Sequence, residues 1–148
     1  MTSINAPNIH VYGVDGSDSD ALDLNIKEIS SDTNFCSKYQ ITYMNSFNWA
    51  RVMIQSVHYF YAYFAHMKSG KKTSVGFVVP TGAMGNYVAC YLSYLMGLPI
   101  SPLIAATNSN DIIHRFFQKR EFTKKEISMT ISPSMDIQQP YNFEVTKN

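Results

Sequence analysis

The residues best suited to chemistry lie between Val75 and Ala89. A β-type apolar run, Ser74 to Val79, meets Pro80-Thr81-Gly82-Ala83-Met84-Gly85-Asn86, and a helical pattern opens at about Met84. In open α/β sheets, ligands bind at the carboxyl ends of strands. The first turn of a helix has unpaired N–H groups and a partial positive charge, which together suit an anion such as phosphate. Gly82 and Gly85 let the backbone curl so that successive N–H groups converge. Asn86 can add a side-chain amide. The loop has no lysine, and Gly-x-x-x-x-Gly-Lys-[Ser/Thr] and Gly-x-Gly-x-x-Gly are both absent. Those absences argue against a nucleoside triphosphate and a dinucleotide. A second reading stays open, that of a tight strand-to-helix turn needing two glycines for steric reasons.

The elements that must hold this loop follow from periodicity. Ile9 to Val14 reads as a strand ended by Asp15-Gly16. Asp18 to Ile29 reads as a helix capped by Ser17 or Asp18, with Leu22, Ile26 and Ile29 on one face. Ser30 to Gln40 reads as a polar connection, and Ile41 to Met44 as a short strand. A long helix is expected from about Asn48 to Met67, with Trp49, Met53, Val57, Phe60, Phe64 and Met67 as its core stripe. After the strand at Ser74 to Val79, a helix runs from about Met84 to Met96 and closes at Gly97. Pro99 to Ala106 reads as a buried strand, and Asn108 or Asn110 as the cap of a helix ending near Lys119. No regular structure is assigned after Glu121. Apolar strands alternating with helices predict an α/β fold, a parallel sheet with helices on both faces.

Composition narrows the function. The chain has 148 residues, 45% hydrophobic and 16% charged, enough for one globular domain with a core. Its net charge of +1 and lack of a long basic run argue against nucleic acid or an anionic membrane as partner. Cys36 and Cys90 are too few for a disulfide framework and read as reduced thiols, Cys90 in the core. Residues 1–7 show no basic start and no apolar stretch of a secretory signal, so a cytoplasmic location is expected. No run approaches the ~18 apolar residues of a membrane span. His10, His58, His66 and His114 lack metal-ligand spacing, so no metal site is expected.

Several segments resemble the threonine synthase and threonine synthase-like family. Pro80-Thr81-Gly82-Ala83-Met84-Gly85-Asn86 is similar to its Pro-Thr-Gly-x-x-Gly-Asn phosphate loop. Asn45-Ser46-Phe47-Asn48-Trp49-Ala50-Arg51 resembles Asn-Ser-x-Asn-Trp-x-Arg. Met96-Gly97-Leu98-Pro99-Ile100, Asn108-Ser109-Asn110-Asp111-Ile112-Ile113-His114-Arg115, Ser134-Met135-Asp136-Ile137-Gln138 and Pro140-x-Asn142 follow in the family's order. The resemblance implies a pyridoxal-phosphate enzyme of fold type II, the architecture shared with tryptophan synthase β-subunits. It implies that Gly82, Ala83, Met84, Gly85 and Asn86 bind the cofactor's phosphate. Asn45, Ser46 and Asn48 become possible active-site neighbours, with capping of the long helix as the other reading. By the same resemblance residues 1–40 are the tail of a smaller domain, and 41–148 part of the large phosphate-binding domain. His114-Arg115 either meets a substrate phosphate or packs, and Asp136 either serves the site or a turn. Where many threonine synthases have Gly-Asn-Phe-Gly-Asn, this chain has Gly82-Ala83-Met84-Gly85-Asn86. That departure favours the synthase-like branch.

The resemblance also marks what is missing. The family's Schiff-base lysine and its Ser-Gly-Asp-Thr segment are not found in the chain, and no lysine shows the buried setting that imine chemistry requires. The expected function is that of an internal fragment of a threonine synthase-like phospho-lyase, acting on O-phosphohomoserine or a related O-phospho amino acid. The remainder of the fold, or self-association, is the expected partner. The alternatives are a non-enzymatic binding or secreted signalling protein built on the same fold, and an inactive cofactor-binding remnant.

Overall fold

The computed structural model describes residues 6–16, 19–42, 48–70, 74–140 and 142–143. The chain divides into two compact units, Met1–Ile41 and Thr42–Asn148. The first holds helices α1 (Ser19–Ser31) and α2 (Thr33–Tyr39). The proposed cap of α1, Ser17 or Asp18, lies outside the described residues. Helix α2 replaces the expected polar connection. Its start is fixed by Asp32, whose side chain accepts a hydrogen bond from the Phe35 N–H at 2.9 Å. The expected strand at Ile9 to Val14 does not form. An apolar run becomes a strand only beside a neighbour that takes up its backbone groups, and the described residues of this unit include no other strand. Ile41 and Thr42 are not in a strand either, and the rest of that expected strand lies outside the described residues.

The second unit carries α3 (Trp49–Met67), β1 (Val75–Pro80), α4 (Gly85–Leu95), β2 (Ile100–Ala106), α5 (Ile112–Lys119) and a 3₁₀ turn at Pro133–Met135. Among the described residues two strands form, not four. They pair in parallel, with Val79 against Ala105 and Pro80 against Ala106. Helix α4 packs against both strands and α3 packs on α4. The core comprises Val52, Tyr59, Val79, Met84, Val88, Ala89, Cys90, Leu98, Ile100, Ile112, Ile113 and Phe143.

Helix α3 turns a different face inward from the one its stripe suggests. Val52, Ser56 and Tyr59 are buried, whereas Trp49 is 53% exposed and Phe64 56%. The helix is apolar almost all round, so apolar spacing alone does not choose the face. The buried face places a small residue, Ser56, and a Tyr59 hydroxyl toward the interior. On the sheet, paired Val78 and Ile104 lie on the face opposite Val79 and stay largely exposed. Exposed apolar surface on both a helix and a sheet face predicts self-association of the purified chain. Sedimentation velocity should show oligomers growing with concentration. A strictly monomeric species throughout would contradict this.

Candidate phosphate site

Where β1 ends, the chain turns sharply into α4, and the turn is held from three sides. The Thr81 N–H donates to the Ala106 carbonyl at 2.8 Å, which ties the loop to the end of β2. The Ala83 carbonyl accepts from Asn142 twice, from Nδ2 at 2.9 Å and from the backbone N–H at 3.3 Å. Asn86 is gripped through its side chain. Its Oδ1 accepts from the Tyr59 hydroxyl, and its Nδ2 donates to Gln55 Oε1 at 2.8 Å. The side-chain amide of Asn86 therefore joins α3 to α4, while the residue itself lines the pocket at this turn. Burial first, then the neighbouring Cys90, pushes the Tyr59 phenol above its ordinary range, so it stays protonated as a donor.

Met84, not a glycine, carries the unusual backbone. It sits at φ 65, ψ −2, left-handed, and its side chain is buried. A non-glycine residue in that region costs about 1 kcal/mol. A left-handed residue followed by helical ones forms a concave nest of N–H groups. Among the described residues, the N–H groups of Gly82 through Tyr87 have no hydrogen-bond partner within the protein. The two glycines serve close approach. A Cβ on Gly82 would lie 3.2 Å from Met135 Cα and from Ile137 Cδ1, and 3.4 Å from the Ser134 oxygen. A Cβ on Gly85 would meet Asn142 Nδ2 at 3.4 Å.

A pocket of about 220 Å³ opens at this turn. Gly82, Ala83, Met84, Gly85 and Asn86 line it together with Ser134, Met135 and Ile137, and Arg51 and Gln55 of α3 close it. It holds the three features a phosphate needs: unpartnered amides, the start of a helix, and a cation. All five loop residues read from sequence come together here. Asn48 does not line the pocket. Its side chain accepts from the Ala50 N–H at 2.9 Å and so caps α3. Asn45 and Ser46 lie outside the described residues. Arg51 and Gln55 lie one helical turn apart; from sequence Arg51 reads only as the end of the Asn-Ser-x-Asn-Trp-x-Arg segment, with no site role, and Gln55 has none either. A basic residue one turn beyond the Asn48 cap was the available signal.

Two other sequence candidates have structural roles. Arg115 is buried. It is held by Asp111 at 2.9 Å, Glu121 at 2.6 Å and the Thr123 carbonyl at 2.8 Å. Asn108 and Asn110 do not cap α5, which has Asp111 at its start. They donate to the Asp136 carboxylate instead, at 2.7 and 2.9 Å. Among the described residues no group of three or more His, Cys, Asp or Glu side chains comes together. Nor is any helix long and apolar enough to cross a membrane. Burial pushes the Cys90 thiol up to about 12, although a hydrogen bond with Tyr59 opposes the shift. At pH 8 it is protonated, and it has no access to solvent. Iodoacetamide should therefore label Cys36 and spare Cys90 in the folded chain, as read by peptide mass spectrometry. Equal labelling would contradict this packing.

No protein-family model matches the chain. Individual proteins do. It is 44% identical over 148 residues to threonine synthase-like 2 of Homo sapiens and 43% identical over 144 residues to that of Xenopus laevis. It is 40% identical over 155 residues to threonine synthase of Schizosaccharomyces pombe. In each case 97% of the chain is covered and 30% of the relative, so the chain spans less than a third of the curated relatives' length. Among solved structures it resembles threonine synthase of Escherichia coli, with a TM-score of 0.80 and 30% identity over 89% of this chain and 31% of that one. It also resembles a PLP-bound threonine synthase of Brucella melitensis, with a TM-score of 0.72 and 42% identity over 85% of this chain and 26% of that one.

Proposed function

We propose that this chain, which belongs to the threonine synthase and threonine synthase-like family, supplies the phosphate cup of a pyridoxal-phosphate phospho-lyase. The single observation that carries the reading is the row of unpartnered N–H groups from Gly82 to Tyr87, of which the residues Gly82 to Asn86 line a pocket that Arg51 also lines. A phosphate there accepts hydrogen bonds from backbone N–H groups, which do not titrate in the ordinary pH range and so keep donating across it. Arg51 adds a full positive charge. Gln55 and Tyr59 fix the Asn86 side chain and so keep the first turn of α4 in place.

When bound, pyridoxal phosphate supplies an electron sink for a carbanion formed beside the substrate's amino group. The residues of this chain orient it. Among the described residues no lysine lines the pocket, which supports a division of labour in which this segment grips and another segment attaches. Residues 1–40 then belong to a smaller domain and 41–148 to the phosphate-binding one. The proposed substrate is O-phosphohomoserine or a related O-phospho amino acid.

Titration of the chain with pyridoxal 5′-phosphate and with pyridoxal tests the reading. Binding through the cup favours the phosphate-bearing compound by roughly 100-fold or more, the worth of two or three charge-assisted hydrogen bonds. Equal affinity for the two would remove the phosphate cup from consideration.

A further inference from the structure

We infer that Asn142 is a positioning residue: it holds the Ala83–Met84 peptide with its N–H toward the phosphate cup, against a flip that Met84 itself favours. This rests on the phosphate reading above. The C=O and N–H of a peptide unit point in opposite directions. Asn142 draws the Ala83 carbonyl toward itself with two donors. The Met84 N–H on the same peptide must then point away from Asn142. The pocket lies on that other side. Ala83, Met84 and Gly85 line it, and Asn142 is not among its lining residues.

The backbone of Met84 shows why such a hold is needed. Its φ of 65 and ψ of −2 match the third residue of a type II turn, a place that favours glycine. Rotating the preceding peptide by half a turn converts that geometry to type I, with φ negative, which suits methionine better. The flip would also aim the Ala83 carbonyl oxygen into the cup and repel a phosphate. Asn142 opposes it from a buried position, 59 residues along the chain. The side chain that blocks the flip is thus separate from the groups that touch the ligand.

The test uses the full chain, with inorganic phosphate as probe and 15N-resolved amide shifts as readout. In the unaltered chain the Met84 amide shifts on titration. Asn142→Asp keeps the side-chain shape and replaces the donor with an acceptor. It should weaken phosphate about tenfold, the worth of one hydrogen bond to a charged group, and abolish the Met84 shift while the Asn86 shift persists. Adding Met84→Gly removes the preference for the flipped form, so in that background Asn142→Asp should cost clearly less, a non-additive cycle. Should the glycine variant not fold, the amide shifts decide alone. An Asn142→Asp chain that binds phosphate normally and keeps the Met84 shift overturns the inference, as does a strictly additive cycle. If no amide from Gly82 to Asn86 shifts in the unaltered chain, the phosphate reading itself fails, and this inference with it.

Discussion

Gly82→Ala is expected to weaken binding of pyridoxal 5′-phosphate by about tenfold to 100-fold. The new Cβ would lie 3.2 Å from Met135 Cα and 3.4 Å from the Ser134 carbonyl oxygen. Both are backbone atoms and cannot rotate aside, unlike Ile137 Cδ1, the third neighbour at 3.2 Å. Overpacking of this kind costs roughly 1–3 kcal/mol. The strain falls where the pocket is built, because Ser134 and Met135 form one wall and Gly82 the other. Either the wall retreats or the loop shifts, and the amides lose their convergence. A hydrogen bond to a charged group is worth about 1.5–3 kcal/mol, which sets the range. Gly85→Ala is the comparison, since its Cβ meets only Asn142 Nδ2 at an ordinary contact distance of 3.4 Å. It should weaken binding much less. Fluorescence titration of both variants checks the order. Equal losses would mean that the Ser134–Met135 wall is irrelevant to the ligand.

The same loop shows what the sequence makes legible. Strand, turn and helix were readable from Val75 to Leu95 because each signal is local: an apolar run, two glycines, then helical spacing. Asn48 at the start of α3 was equally local. The face of α3 was not, since Trp49, Met53 and Phe64 share the apolar character of Val52 and Tyr59, and only the partner helix selects between them. Helix α2, seven residues long, offers too little periodicity to register against its polar neighbours. The false strand at Ile9 to Val14 has the converse origin: local character without a pairing neighbour. The roles of Asn142, Asn108 and Asn110 were hidden because their partners are distant in sequence. An asparagine beside a helix looks like a cap until the carboxylate it serves is located.

That carboxylate supports the remaining prediction, that Asp136→Ala releases the pocket wall and with it both stability and phosphate affinity. Asp136 Oδ1 accepts from Asn108 Nδ2, Asn110 Nδ2 and Thr130 Oγ1, and Oδ2 accepts from the Thr130 N–H. Asn110 in turn accepts from the Ser128 N–H at 2.9 Å. Residues 121–130 contain no helix or strand, so these side-chain bonds do the work that backbone ladders do elsewhere. Asp136 stands between Met135 and Ile137, two residues of the wall, and its removal cuts the side-chain bonds that tie this stretch to Asn108, Asn110 and Thr130. Hydrogen bonds from Thr130, and then from the two asparagines, hold its acid below the ordinary carboxylate range. A carboxylate depressed in the folded state contributes stability fully above about pH 4, its ordinary value, and loses it as pH falls through the lowered folded value. Urea unfolding of the natural chain and of Asp136→Ala should therefore differ most near neutral pH and converge as the solution becomes acid. A gap that stays constant from pH 7 to pH 3 would assign the loss to packing rather than charge. With the wall loosened, pyridoxal 5′-phosphate should bind about tenfold more weakly, while pyridoxal, which does not engage the cup, should be unaffected. A parallel loss for both compounds would show that Asp136 maintains the domain and not the cup.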